Sequence, residues 1–168
     1  EHAFSPVLGA MERTRDLGLG VTLQHALVYS LAGNMQRYWG QQRASDCTPA
    51  RAWLDAGVVV GAGTDSPVTH YDPWLNIYGF ATRDTQVAGI LGPQHRIAVA
   101  EALHAYTVVS AQILGWDNAL GMLAPGKVAD CICLDRDPLA WPVDQVHNVR
   151  VTRTVVQGRQ VFAVKASE

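Results

Sequence analysis

The chain has 168 residues, 48% of them hydrophobic and 17% charged, and a formal net charge of −2. That balance describes a globular protein and excludes a disordered one, which carries fewer apolar residues and more net charge. The small negative charge leaves no basic footprint for nucleic acid, and no apolar run approaches the roughly 20 residues of a membrane helix.

In chain order, residues 7–17 read as a short helix that Gly18 and Gly20 stop, and residues 21–24 as a short β run. The polar, aromatic-rich stretch 29–42 has no clean period. Thr48-Pro49 then opens a helix, with Thr48 as N-cap, Pro49 at the first helical position and Gly57 just past the end. Val58-Val59-Val60 is an apolar strand of the kind covered on both faces. Asp72-Pro73 repeats the cap-plus-proline start for a helix over 73–82, and a loop at 89–93 leads to the longest helix, 99–114. Its apolar positions Val99, Leu103, Tyr106, Val109 and Ile113 keep the spacing of a buried stripe. From Lys127 the pattern turns to β, over 128–134, 149–156 and 160–164, with Gln157-Gly158-Arg159 as a tight turn. The chain therefore divides near residue 120, α/β before and all-β after.

Cys47, Cys131 and Cys133 make an odd set without a CxxC pair, which speaks against a disulfide framework or a zinc knuckle. They are expected to be buried thiols of a reducing, cytoplasmic setting. The chain begins Glu1-His2-Ala3, so its N-terminus carries no information about a signal segment.

Chemistry concentrates at strand ends. Asp65, in Gly63-Thr64-Asp65-Ser66-Pro67, follows the apolar strand, where parallel α/β folds build their sites. An aspartate there either caps the next turn or serves as metal ligand and general base. His2 and His25 each follow a short segment in the same relative place. His70 and Ser66 lie on the same side, where substrate contact is possible in principle but a solvated loop is the plainer reading. His95, His104 and His147 have no partner at ligand spacing. The five tryptophans, Trp39, Trp53, Trp74, Trp116 and Trp141, read as core or pocket walls. No phosphate loop, nucleophile elbow or His-Glu-x-x-His helix is present.

Taken together, several segments resemble the amidohydrolase superfamily. They are Gly63-Thr64-Asp65-Ser66-Pro67-Val68, Asp72-Pro73, Glu101-Ala102-Leu103-His104-Ala105-Tyr106-Thr107, Gly121-Met122-Leu123-Ala124-Pro125-Gly126-Lys127-Val128-Ala129-Asp130, Leu134-Asp135-Arg136-Asp137-Pro138 and the closing Thr154-Val155-Val156-Gln157-Gly158-Arg159. The nearest branch is amidohydrolase family 3, which includes N-substituted formamide deformylases. The resemblance implies an α/β protein: the C-terminal part of a metal-dependent (β/α)8 TIM barrel over residues 1–120, about its last three strands. Residues 121–168 would then be a β-strand segment of a small composite β-sandwich.

In such enzymes a histidine in a Glu-His-Ala context and the aspartate of a Gly-Thr-Asp motif bind metal, which maps His2 and Asp65 as ligands and Asp65 as the catalytic proton shuttle. His25, Ser66 and His70 become substrate-binding candidates, while Lys127 and Asp130 belong to a structural signature. The cofactor implied is a divalent metal, zinc, as one or two ions. The family's His-x-His pair and its other ligands are absent from the chain, and three parallel strands fall short of a barrel of about 250 residues.

The expectation is therefore a C-terminal portion that is inactive alone, whose partners are the N-terminal portion of the same enzyme and a small amide-type substrate, with a homo-oligomer possible. The reaction implied is hydrolysis of a non-peptide carbon–nitrogen bond of amide or formamide type. Tyr29, Trp39 and Trp74 suggest an apolar pocket for it. Deamination of a cyclic amidine, or a non-catalytic interaction module, are the alternatives.

Overall fold

The computed structural model describes residues 1–165. The first half packs helices around a parallel strand pair. The elements are α1 (Ala10–Asp16), β1 (Gly20–Leu23), α2 (His25–Trp39), α3 (Gln41–Ser45), α4 (Ala50–Asp55), β2 (Val59–Ala62) and α5 (Pro73–Thr82). Strands β1 and β2 run parallel in the register Gly20 to Val59 through Leu23 to Ala62. Their side chains Val21, Leu23, Val58 and Val60 join Trp53, Trp74, Ile77, Phe80 and Ile97 in one buried cluster. Glu1–Ala3 forms no strand: His2 and Ala3 both take positive φ.

The stretch without a clean period is mostly the 15-residue α2. Its buried line Val28, Ala32 and Met35 keeps helical spacing and packs with Cys47 and Leu91. Leu31, Tyr38 and Trp39 are exposed although they flank or continue that line, and these solvent-facing apolar residues hide the period in the sequence. Helix α5 begins as expected, with Asp72 Oδ1 accepting from the Trp74 N–H at 2.8 Å. The cap of α4 is displaced by one position. Pro49 occupies it, because Thr48 is turned to a φ of 46°, its N–H donating to the Phe4 carbonyl and its own carbonyl held by Arg83.

The longest helix is continuous but not uniform. It runs as α6 (Val99–His104), a π-helical turn (Ala105–Val109) and α7 (Ser110–Ile113). The expected stripe of Val99, Leu103 and Tyr106 is only half-buried, while Ala102 and Ala105 are buried. Within the widened turn Ser110 Oγ donates to the Ala105 carbonyl at 2.7 Å and also meets the backbone of Ala62, closing the end of β2. Gly61 permits this approach: a Cβ there would stand 2.9 Å from Ile113 Cδ1.

Beyond residue 120 an antiparallel sheet forms in the order β3 (Cys131–Leu134), β4 (Val151–Val156), β5 (Arg159–Ala163), preceded at β4 by a 3₁₀ segment, Val143–Asn148. Strand β3 starts later than the sequence pattern suggests, because the Val128 N–H is spent on the Ala119 carbonyl. Lys127 Nζ donates to the carbonyls of Asp117 and Leu120, tying that loop shut. Gln157 and Gly158, both at positive φ, make the two-residue turn between β4 and β5. Asp130 Oδ1 accepts the Gln157 N–H at 2.7 Å, so both signature residues have structural partners. Cys47 is buried, Cys131 half-buried and Cys133 exposed on the edge strand β3, so the expectation of three buried thiols is corrected at the latter two. No helix among the described residues is long and apolar enough to cross a membrane.

Candidate functional site

Parallel strands end together, so whatever follows β1 and β2 is brought to one edge of the fold. Gln24 and His25 follow β1; Gly63, Thr64 and Asp65 follow β2. Glu1, Thr22, Gln24, Gly63 and Asp65 line one hollow of about 290 Å³, floored by Ser110 and Ile113. His2 joins it through Gln24, whose Oε1 lies 2.8 Å from His2 Nδ1. Asp65 is half-exposed at a φ of 64°, and its backbone carbonyl accepts from the Val68 and Thr69 N–H groups at 2.8 and 3.2 Å. That turn carries the chain away and leaves the carboxylate on the hollow's wall.

The remaining expected residues do not line this hollow. His25 is completely buried at the start of α2, its ring against Phe80 with centroids 5.8 Å apart and directly over Gly79. Both ring nitrogens lack partners, and burial, helped by the Arg83 charge, drives the imidazole well below its ordinary pKa. Its role as a substrate contact is therefore corrected: the residue after His25 continues a helix, and that helix turns the ring into the core. Ser66 is exposed, with its N–H on Thr64 Oγ1. His70 is half-buried, edge-on to Tyr29 with centroids 6.5 Å apart, and its two ring nitrogens are buried without partners.

The three aromatics expected to wall one pocket do not share one. Trp39 meets Phe4 on a groove with Leu31 and Tyr38, Trp74 is in the core, and Tyr29 faces His70. His95 pairs with Asp46 at 3.5 Å, His147 lies on the Tyr78 ring with centroids 4.7 Å apart, and His104 is exposed.

Sequence reasoning missed three buried polar residues, two of which, Gln24 and Asn76, build this edge. Gln24 is 3% exposed and bonds both Glu1 and His2. Asn76, fully buried in α5, holds the backbone after both strands. Arg83, fully buried, donates to the carbonyls of Leu91, Thr48 and Cys47 at 2.8–3.0 Å, and to that of Ser45 at 3.4 Å, and desolvation pushes its pKa down to about 10. A polar residue inside an apolar helical run, as in Pro73-Trp74-Leu75-Asn76-Ile77, was the available signal for Asn76.

A histidine nitrogen and a carboxylate are donor types that suit zinc. His2 fits such a role because Gln24 engages Nδ1 and leaves Nε2 available. Among the described residues no three His, Cys, Asp or Glu side chains stand close enough together to hold an ion.

Known proteins fall in line with this geometry. The sequence profile of the amidohydrolase family matches residues 9–162. The N-substituted formamide deformylase of Arthrobacter pascens is 31% identical over 159 residues, covering 94% of this chain and 29% of that protein. A 5-methylthioadenosine/S-adenosylhomocysteine deaminase of Natronomonas pharaonis is 38% identical over 140 residues, covering 73% and 31%. The crystal structure of an uncharacterised metal-dependent hydrolase from Pyrococcus horikoshii superposes with a TM-score of 0.71 at 25% identity, over 84% of this chain and 29% of that one. The chain thus spans less than a third of the length of the curated relatives it matches. By profile, sequence and fold alike, it belongs to the amidohydrolase family, whose members are hydrolases of carbon–nitrogen bonds.

Proposed function

We propose that this chain supplies the C-terminal portion of a metal-dependent hydrolase acting on a non-peptide carbon–nitrogen bond, of amide or formamide type, in a small molecule. The observation that carries the reading is that Asp65 and Gln24, the residue bonded to His2, line one hollow at the shared C-terminal edge of β1 and β2. On this reading residues 1–120 contribute the last strands of a (β/α)8 barrel and residues 121–168 part of a β-sandwich. His2 Nε2 and the Asp65 carboxylate are two ligands of a divalent metal, zinc in our assignment, and the rest come from the N-terminal portion of the same enzyme. Because a catalytic zinc takes about three protein ligands plus water, residues 1–168 alone are inactive.

A divalent ion, when bound, lowers the pKa of water toward about 7 and polarises a carbonyl. The chain's own part is proton transfer. Asp65, at its carboxylate, takes the proton of the attacking water and delivers it to the leaving amine, as a general base and then a general acid. Ser66 and His70, in the loop that follows Asp65, are proposed substrate contacts.

The deaminase relative supports a second reading, hydrolytic deamination of a cyclic amidine. A substrate panel on the zinc-loaded longer enzyme separates the two. Formate release from an N-substituted formamide is the expected result. Ammonia release from an adenosine-type amidine selects the second reading, and turnover of neither overturns the assignment. Reading the coding sequence upstream of Glu1 for a His-x-His pair tests the ligand set independently.

A further inference from the structure

Gln24 ends β1 and is 97% buried by its surroundings, with 3% of its surface exposed. A buried primary amide has both donors and an acceptor to satisfy, and here each end has a partner. Its Nε2 donates to Glu1 Oε1 at 2.6 Å, and its Oε1 faces His2 Nδ1 at 2.8 Å. Glu1 is anchored in turn, Oε2 accepting from Thr22 Oγ1 at 2.9 Å. Glu1 Oε1 also stands 3.8 Å from His2 Nδ1, beyond hydrogen-bonding reach.

The direction of this chain of bonds follows from its acidic end. An ionised carboxylate only accepts, so the amide must turn its NH2 toward Glu1. That leaves the amide oxygen toward His2, and a carbonyl oxygen also only accepts. The proton between them therefore belongs to His2 Nδ1, and a neutral imidazole with Nδ1–H carries its lone pair on Nε2.

We propose that Gln24, set by Glu1, is a positioning residue that locks His2 in the Nδ1–H tautomer and so makes Nε2 its ligand atom. The inference rests on the reading of His2 as a metal ligand, and adds the residues that prepare it. Metal-binding histidines donate their other N–H to a carboxylate, carbonyl or water, which fixes ring orientation and raises ligand basicity. Here the acceptor is an amide oxygen, polarised through its own NH2 by a carboxylate.

The test is the tautomer of His2, read by long-range ¹H–¹⁵N correlation on the full chain with labelled histidine, at about pH 9, where imidazoles are ordinarily neutral. Wild type is expected to carry the proton on Nδ1. Gln24→Ala is expected to move it to Nε2, the position a free imidazole side chain favours. Glu1→Ala, which leaves the buried amide in place, is expected to lose the single tautomer, and Glu1→Gln combined with Gln24→Glu to restore it, since the introduced carboxylate again accepts from Nδ1.

An Nε2–H signal in the wild type overturns the proposal, as does an unchanged Nδ1–H signal in both Gln24→Ala and Glu1→Ala. Zn²⁺ added to the longer enzyme, which carries the remaining ligands on the proposed reading, addresses that reading separately. A response at His2 Nε2 supports it, with affinity falling about 10- to 100-fold in Gln24→Ala. A locked tautomer with no zinc response supports the lock and overturns the ligand role.

Discussion

The side chain of Asn76 holds the carbonyl of Gly63 at 2.5 Å, and so fixes the point at which the Asp65 loop leaves β2. The same amide accepts the Ala26 N–H at 2.6 Å, just past β1, and donates to the Tyr106 hydroxyl. One buried residue thereby ties together the ends of both parallel strands and the helix packed beside them.

Replacing Asn76 with Leu keeps the volume and removes every one of these bonds. Two or three buried polar groups are left unpaired, at about 1–3 kcal/mol each before relaxation, so a loss of roughly 2–4 kcal/mol is expected. The urea midpoint measures it, and a shift equivalent to less than about 1 kcal/mol would show that the clamp is dispensable.

Among the described residues Arg83 has no carboxylate partner; four backbone carbonyls surround its guanidinium instead. They come from the loop before α4 and the loop after α5, so the side chain joins two segments far apart in sequence. Arg83→Met is expected to cost about 3 kcal/mol or more, because carbonyls that a planar five-donor group served are left buried. Arg83→Lys should recover less than half, since a compact ammonium lacks the forked donors. Full recovery by lysine would mean that charge alone, and not the fork, holds the loops.

His25 lies where α5 has a glycine. A methyl group on Gly79 would fall on the His25 ring, 2.8 Å from Cε1 and 2.9 Å from Cγ, as well as on Nδ1. Gly79→Ala should therefore destabilise the fold by about 1–3 kcal/mol through overpacking. The same change in a His25→Ala background should cost much less, giving a double-mutant coupling above about 1 kcal/mol. Additive effects would contradict the packing described.

The same histidine gives the fold a pH dependence. Burial, with the Arg83 charge second, holds its folded pKa well below 6.5, and burial lowers His95 as well. Unfolded, the ring takes up a proton near pH 6.5, so below that the unfolded state binds more protons than the folded one. Stability is full above about pH 7 and falls as the pH drops. Between pH 7.5 and 5.5 the wild type should lose roughly 1.4 kcal/mol more than His25→Leu. Equal losses in denaturant unfolding would show that His25 takes up its proton without cost.

The sequence made much of this fold readable where local chemistry acts alone. Asp72 capping Trp74 opens α5 at the expected residue, and Gln157-Gly158 turns the last hairpin. Helix α2 is obscured because Leu31, Tyr38 and Trp39 are apolar yet exposed, so composition misrepresents which positions are buried. At the candidate site, Asp65 stood out as a ligand type at a strand end and His2 as a histidine in a Glu-His-Ala context. Gln24, Asn76 and Arg83 did not, because their partners, side chains for Gln24 and mostly backbone groups for Asn76 and Arg83, lie 8 to 50 residues away and only the folded chain brings them near. His25 shows the opposite error, a ligand-type residue at a strand end that the first turn of α2 rotates into the core.

The most direct measurement is turnover of an N-substituted formamide by the zinc-loaded longer enzyme carrying Asp65→Asn. The amide keeps the shape of the loop and cannot accept a proton, so the account predicts a rate about 10²- to 10⁴-fold lower with an unchanged denaturation midpoint. Turnover within a few-fold of wild type would remove Asp65 from the chemistry and contradict the site described at the ends of β1 and β2.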